Sequence, residues 1–184
     1  LLDLSKLKAG KLQLDQVPFS LENMVRQITH SIRDSHDQKP IELALSFDEA
    51  IKGIVFKSDP LRIQQIITNL VGNAFKFTEK GAITISGKQV AEKNGIITMQ
   101  SLITDTGIGI SEEKQELIFN EFTQADTTTA QKFGGNGLGL TISRKLTELL
   151  GGSLTVESKL GEGSTFKVVL PLEKSEQQTV VPKA

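Results

Sequence analysis

Five polar residues recur in this chain at the spacing of helix turns. Arg62, Gln65, Asn69, Asn73 and Lys76 stand at steps of 3, 4, 4 and 3, which puts all of them on one stripe of a helix. Ile63, Ile66, Ile67, Leu70, Ala74 and Phe77 form an apolar stripe beside it, so the polar groups border the buried face instead of opposing it. Asn is a poor helix former because its amide competes for backbone hydrogen bonds. Two Asn one turn apart, with Lys three residues on, fit two readings. One is a solvated face; the other has amide oxygens on a Mg²⁺ while Lys76 meets phosphates on the same metal.

Two glycine clusters follow. Asp105-Thr106-Gly107-Ile108-Gly109-Ile110 comes directly after a strand-like run. A carboxylate there can accept a hydrogen bond from an exocyclic amino group, such as that of adenine. Alone, D-T-G also suits half of an aspartic-protease site, which needs a second such aspartate; the chain has one copy. The stretch KFGGNGLGLTISRKL, from Lys132 to Leu146, holds four glycines at 134, 135, 137 and 139, and a helical apolar pattern follows at once. Glycines so placed allow close backbone approach or positive φ. The helix N-terminus beyond them presents unpaired N–H groups and partial positive charge, which suit phosphate. Leu140 stands where the dinucleotide fingerprint needs its last Gly and where a P-loop needs Lys, so neither motif applies. A flexible surface loop is the alternative.

The elements that must hold these residues are legible from periodicity. LLDLSKLK reads as a helix end, with Leu1, Leu4 and Leu7 in phase and Gly10 to stop it. A helix from Ser20 buries Leu21, Met24, Val25, Ile28 and Ile32, with Ser20 as N-cap. His30 and His36 fall on it or just past it and are expected on the solvated surface. IELALSF and GIVF read as strands, and Asp59-Pro60 starts the clearest helix. AITISGKQV and GIITMQSLITD are strands joined around Lys93-Asn94-Gly95. SEEKQELIFNEF reads as a short acidic helix. A helix from Leu138 to about Leu150 precedes two more strands, SLTVESK and STFKVVL, around Gly161-Glu162-Gly163. The mixture lacks regular βαβ alternation and predicts an α/β (α+β) two-layer sandwich. Its sheet is mixed, largely antiparallel, and backed by helices on one face.

At 184 residues the chain is long enough for one domain with a substantial core. It is 38% hydrophobic and 23% charged, with net charge −1, so no basic field argues for nucleic acid. No run has transmembrane length, and the absence of cysteine excludes disulfides and thiol catalysis. With two histidines, a dedicated zinc site is not expected. The start at Leu1 without Met suggests a segment of a longer polypeptide, and EKSEQQTVVPKA reads as linker.

The order of motifs is the specific signal: N-x-x-x-N-x-x-K on a helix, D-x-G-x-G after a strand, Phe119 and Phe122, a polar segment, G-x-G-x-G into a helix, then G-x-G-S. Residues 15–172 resemble the catalytic ATP-binding domain of bacterial sensor histidine kinases. That domain is a member of the family that also contains the gyrase, heat-shock and MutL ATPases. Residues 1–14 resemble the end of the preceding dimerisation helix and its linker, residues 173–184 a C-terminal linker, and FNEFTQADTTT the hybrid-type kinases.

The resemblance implies a Bergerat fold with a mobile ATP lid over Thr123 to Gly137, and ATP and Mg²⁺ as cofactors. Asn73 would ligate the metal, with Asn69 beside it on the phosphate side and Lys76 on phosphate; Asn69 and Lys76 are the expected catalytic pair. Phe77 and Phe122 would border the nucleotide, and Asp105 would take the adenine amino group, helped through water by Ser164. Gly107, Gly109 and Ile110 would shape the pocket. Lys132, Gly135, Gly137, Leu138, Gly139 and Leu140 would surround the triphosphate. Asn136 stands where Thr or Ser is usual, and Gln131 where hybrid kinases often carry Arg.

The expected partners are a phosphoacceptor helical hairpin of the same polypeptide and a receiver domain or response regulator. Neither His30 nor His36 occupies the acceptor context. The domain is expected to be cytoplasmic and monomeric, without nucleic-acid or membrane contact, within a homodimeric parent that is membrane-anchored or soluble. Two rival readings are an ATPase of the same family and a non-catalytic nucleotide-binding signalling module. The ATPases carry a Glu base at the position of Asn69, whose amide cannot take a proton.

Overall fold

Alternation along two strands decides how the sheet faces its core. The structure is a computed structural model and describes residues 2–121 and 139–177. In β5 (Ile96–Asp105), residues 97, 99, 101, 103 and 105 are buried while 98, 100, 102 and 104 are half-buried. In β7 (Gly163–Lys174), Ser164, Phe166, Val168, Leu170 and Leu172 are likewise inward. Period-two patterning of this kind buries one face. Its ends are unusual, because Asp105 and Ser164 continue the inward series with polar groups.

The remaining strands are β1 (Val17–Phe19), β2 (Ile41–Phe47), β3 (Phe56–Ser58), β4 (Gly81–Lys93) and β6 (Ser153–Lys159). They join in the order β1-β3-β7-β5-β4-β2, with β6 also paired to β7. Among the described residues only β2 with β4 is parallel; β1–β3, β3–β7, β4–β5, β5–β7 and β6–β7 are antiparallel. The β4–β5 hairpin turns at Asn94 and Gly95, both at positive φ (54° and 78°), as a tight Asn-Gly turn requires. The helices lie on one face of this open sheet: α1 (Leu2–Lys8), α2 (Leu21–Asp34), α3 (Pro60–Phe77) and α4 (Gly139–Leu149). This is the two-layer α+β sandwich that the pattern of elements predicts.

Helix α3 is the centre of the helical layer. Asp59 caps its start by accepting from the Arg62 N–H at 3.2 Å, and Pro60 opens its first turn. Ile63, Ile66, Ile67, Leu70, Val71, Ala74 and Phe75 are all buried, against Ile83, Ile85, Ile97, Met99 and Ile103 of the sheet. Its other end is held by Lys39, whose Nζ donates to the carbonyls of Phe75 (2.8 Å), Thr78 (3.2 Å) and Lys76 (3.4 Å). An ammonium at a helix C-terminus satisfies orphan carbonyls and opposes the negative end of the dipole. Thus both ends of the helix carrying Asn69, Asn73 and Lys76 are fixed.

Four sequence expectations need correction, and one strand, β1, has no counterpart among the sequence expectations. The acidic segment after Ile110 is not a helix; it makes two 3-10 turns, Glu112–Lys114 and Leu117–Phe119. Burial of Ile118 and Phe119 and the bonds of Gln115 to the Ile110 and Ser158 carbonyls override helix propensity there. GIVF supplies a strand only from Phe56, because Gly53 (φ 72°) and the Ile54 N–H bond to Ile51 O keep the chain turning. Strand β1 carries no period of its own; its pairing with β3 creates it. His30 is exposed as expected, but His36 is half-buried, tilted on Phe75 with centroids 5.6 Å apart and Nδ1 2.9 Å from Ile32 O. In addition β7 runs on to Lys174, because Phe56 and Lys57 pair with Lys174 and Glu173.

Candidate functional site

The site builds from α3 outward. Asn69, Asn73, Lys76 and Phe77 are all half-buried along its polar stripe. Burial holds the Lys76 ammonium below its ordinary pKa, and its Nζ lies 5.4 Å from the Phe77 ring centroid. Helix α4 crosses α3 at Asn69. Asn69 Nδ2 donates to Ser143 Oγ at 3.0 Å, and a Cβ at Gly139 would collide with Asn69 Oδ1. Gly139 and Ser143 are one turn apart, so they share a face. Glycine at 139 is what lets the first turn of α4 approach this close.

The second wall is the strand end. Asp105 is 7% exposed, and its Oδ1 accepts from the Gly107 N–H at 2.9 Å, an Asx-type turn. Burial raises the Asp105 pKa; the N–H groups of Gly107 and Ser164 offset part of that rise. Gly107 packs against α3: a Cβ there would meet Phe77 O, and would stand 2.9 Å from both Asp105 Oδ1 and Thr78 Oγ1. Thr78 Oγ1 is the buried side-chain polar atom without a hydrogen-bond partner among the described residues. The Asp105 loop therefore sits directly on the end of α3, beside Phe77 and Thr78.

A third element closes the loop from below. The β6–β7 turn is stitched to residues 108–110: the Gly161 N–H donates to Ile108 O at 2.8 Å, and the Ile110 N–H donates to Ser158 Oγ at 2.7 Å. Gly109 has φ 69°, and a Cβ on it would strike Lys159 O. Ser164 is Asp105's cross-strand partner, 7% exposed. On the far side, Phe119 is edge-on to Phe166 at 6.4 Å, and Arg144 stacks on it at 4.4 Å while its Nη1 bonds Glu116 Oε2 at 3.0 Å.

Of the residues singled out in the sequence, Asn69, Asn73, Lys76, Phe77, Asp105, Gly107, Gly109, Ile110, Gly139, Leu140 and Ser164 are carried by α3, the loop after β5, the start of α4 and the start of β7. Phe122, Lys132, Gly135, Gly137, Leu138, Asn136, Gln131 and the proposed lid from Thr123 to Gly137 lie outside the described residues. Sequence reading missed Ser158 and Gln115. Ser158 follows Leu154 and Val156 on the inward side of β6, but a lone serine at a strand end carries no signal of its own, and Ile110, which bonds it, lies 48 residues earlier. Among the described residues no group of three His, Cys, Asp or Glu could hold a metal. No helix among them is long and apolar enough to cross a membrane.

The protein is thus an open two-layer α+β sandwich in which a helix with a half-buried amide stripe, a buried strand-end carboxylate and a glycine-led helix stand together. The histidine kinase-, DNA gyrase B-, and HSP90-like ATPase family matches residues 58–174, and the chain belongs to it. The signal transduction histidine-protein kinase BarA of Escherichia coli is 44% identical over 165 residues, 90% of this chain and 18% of BarA. The hybrid signal transduction histidine kinase L of Dictyostelium discoideum is 39% identical over 186 residues, 99% of this chain and 11% of that protein. Full-length ShkA, solved in complex with AMPPNP, superposes with a TM-score of 0.81 at 29% identity, covering 97% of this chain and 35% of ShkA. The chain thus spans about a fifth or less of the curated relatives it matches.

Proposed function

We propose that the chain is the ATP-binding catalytic domain of a two-component sensor histidine kinase of the hybrid type. It binds Mg-ATP and delivers the γ-phosphoryl group to a histidine on another domain. In that transfer an imidazole nitrogen forms the N–P bond, the bond from γ-phosphorus to the β–γ bridging oxygen breaks, and ADP leaves. The observation that carries the reading is the juxtaposition of Asp105 and Gly107 with the end of α3, while Gly139 and Ser143 of α4 bear on Asn69.

The residues fit the nucleotide. Gly107 offers a flat backbone wall beside Phe77, and Asp105 offers a buried acceptor for an amino group. Asn73 would hold Mg²⁺ through its amide oxygen, and the ion would supply positive charge to the phosphates. Lys76, Gly139 and Leu140 would face phosphate, with Lys132, Gly135, Gly137 and Leu138 completing that wall. Gly109, Ile110, Phe122 and Ser164 would shape the base end. Asn69 keeps the phosphate side aligned, and its amide is committed to Ser143. That disfavours the hydrolytic reading, since no carboxylate base stands there to deprotonate water.

Residues 15–172 form the proposed catalytic unit, cytoplasmic and monomeric by itself. A helical-hairpin acceptor and a receiver or response regulator are its partners. The test is phosphate transfer. The chain alone should bind ATP, hydrolyse it slowly and incorporate no phosphate. Mixed with its acceptor hairpin it should label a histidine, with the acid-labile, base-stable behaviour of a phosphoramidate. Acid-stable label, or rapid hydrolysis by the chain alone, would refute the reading.

A further inference from the structure

We infer that Ser158 sets the proton direction of Ser164 and thereby makes the base end of the site select an amino group over an oxo group. This deepens the proposed ATP-binding function and rests on it. Ser158 Oγ lies 2.8 Å from Gly163 O, 2.7 Å from the Ile110 N and 2.7 Å from Ser164 Oγ. A serine hydroxyl has one proton and two lone pairs. A carbonyl only accepts, so the Ser158 proton goes to Gly163 O. The Ile110 N–H only donates, so it takes one lone pair. The remaining lone pair faces Ser164, and Ser164 must be the donor.

The consequence reaches the site through strand register. Ser164 is paired across the strands with Asp105, and both lie at one end of the inward face, beyond Ile103 and Phe166. With its proton spent on Ser158, Ser164 presents only lone pairs. Asp105, ionised, also presents only lone pairs. Whatever bridges them must donate to both: an exocyclic amino group, a water that uses both protons, or the two in series. A 6-oxo purine offers an acceptor at that position and meets two acceptors. Losing Ser158 frees the Ser164 proton to turn toward the ligand and accommodate the oxo group. The Ser158 hydroxyl is committed to Ile110, Gly163 and Ser164, so it is a positioning residue acting through Ser164.

The experiment compares ATP with ITP, which differ in the base only by 6-amino against 6-oxo and the proton on the adjacent ring nitrogen. Mg²⁺-nucleotide affinities are measured by calorimetry on the whole chain. The unaltered chain should prefer ATP by at least about tenfold. Ser158→Ala should cut that ratio by roughly fivefold or more, the scale set by one mismatched buried polar pair. Ser158→Thr, which keeps the hydroxyl, should restore it. Once Ser164 is changed to Ala, adding Ser158→Ala should leave the ratio where Ser164→Ala put it. If Ser158→Ala weakens ATP and ITP by the same factor, or abolishes both, Ser158 only braces the hairpin and the inference is overturned. Discrimination intact in the unaltered chain and equal in Ser158→Ala also overturns it, leaving the proposed function standing. An unaltered chain that binds ATP and ITP equally overturns the inference alone, and one that binds neither overturns the proposed function as well.

Discussion

Replacing Asp105 with Asn gives the sharpest test of the base end, because the structure dictates which way the new amide turns. Oδ1 of Asp105 receives the Gly107 N–H at 2.9 Å, and the Ser164 N–H also favours its charge. The Asn carbonyl must keep the Gly107 bond, since otherwise a buried N–H would face an NH₂ group. The amide nitrogen then occupies the position of the second carboxylate oxygen, and a donor faces the purine amino group. Leaving such a pair unmatched in a buried setting costs about 1–3 kcal/mol, or roughly five- to 150-fold in affinity.

The apo fold should respond in the opposite direction. Burial raises the Asp105 pKa, so the ionised carboxylate is a cost to the folded state above that pKa, relieved as pH falls through it. Asp105→Asn escapes this cost, so its melting temperature at neutral pH should equal or exceed that of the unaltered chain. The gap should shrink on acidification. ATP binding by the unaltered chain should weaken over the same acid range, as the acceptor is protonated. Calorimetry with ATP and thermal melts from neutral to acid pH read all three effects. Unchanged ATP affinity in a folded Asp105→Asn chain would remove Asp105 from the site and refute the reasoning.

Asn73→Ala should abolish the Mg²⁺ dependence of ATP binding while adenosine binding survives; loss of adenosine as well would mean that Asn73 braces the helix. Gly107→Ala would push a methyl group onto Phe77 O and Asp105 Oδ1. It should cost about 1–3 kcal/mol in urea denaturation and weaken ATP further, and a neutral result would contradict the tight seating of the loop on α3. Lys39→Met removes the ammonium from three carbonyls at the end of α3 and should cost about 2 kcal/mol. Lys52, paired on the surface with Glu49, should tolerate Ala with less than about 1 kcal/mol; equal effects would refute the cap.

How much of this was legible in the chain differs by element. The helix from Pro60 to Phe77 is written in local terms: an Asp-Pro start, an apolar stripe and a polar stripe beside it. The Asn94-Gly95 hairpin and the β5 and β7 alternation are equally local. Each depends on residues within a turn or a pleat of one another, so sequence spacing alone fixes them. The order of the amide, carboxylate and glycine clusters carries the family resemblance, and residues 58–174 match that family.

Tertiary structure decided the rest. The segment from Glu112 to Phe119 has helical composition, yet two core side chains and the two carbonyl bonds of Gln115 hold it in 3-10 turns. Strand β1 exists because β3 lies beside it. Lys39 caps a helix whose end is 36 residues away, and Ser158 is only one more inward residue of β6 until Ile110, 48 residues earlier, is folded onto it. No local propensity encodes such contacts, because a hydrogen bond is directional and short-ranged and its partner is chosen only when the chain is folded. Sequence therefore determined which groups this protein has to work with. Folding decided which lone pair, proton or carbonyl each one faces.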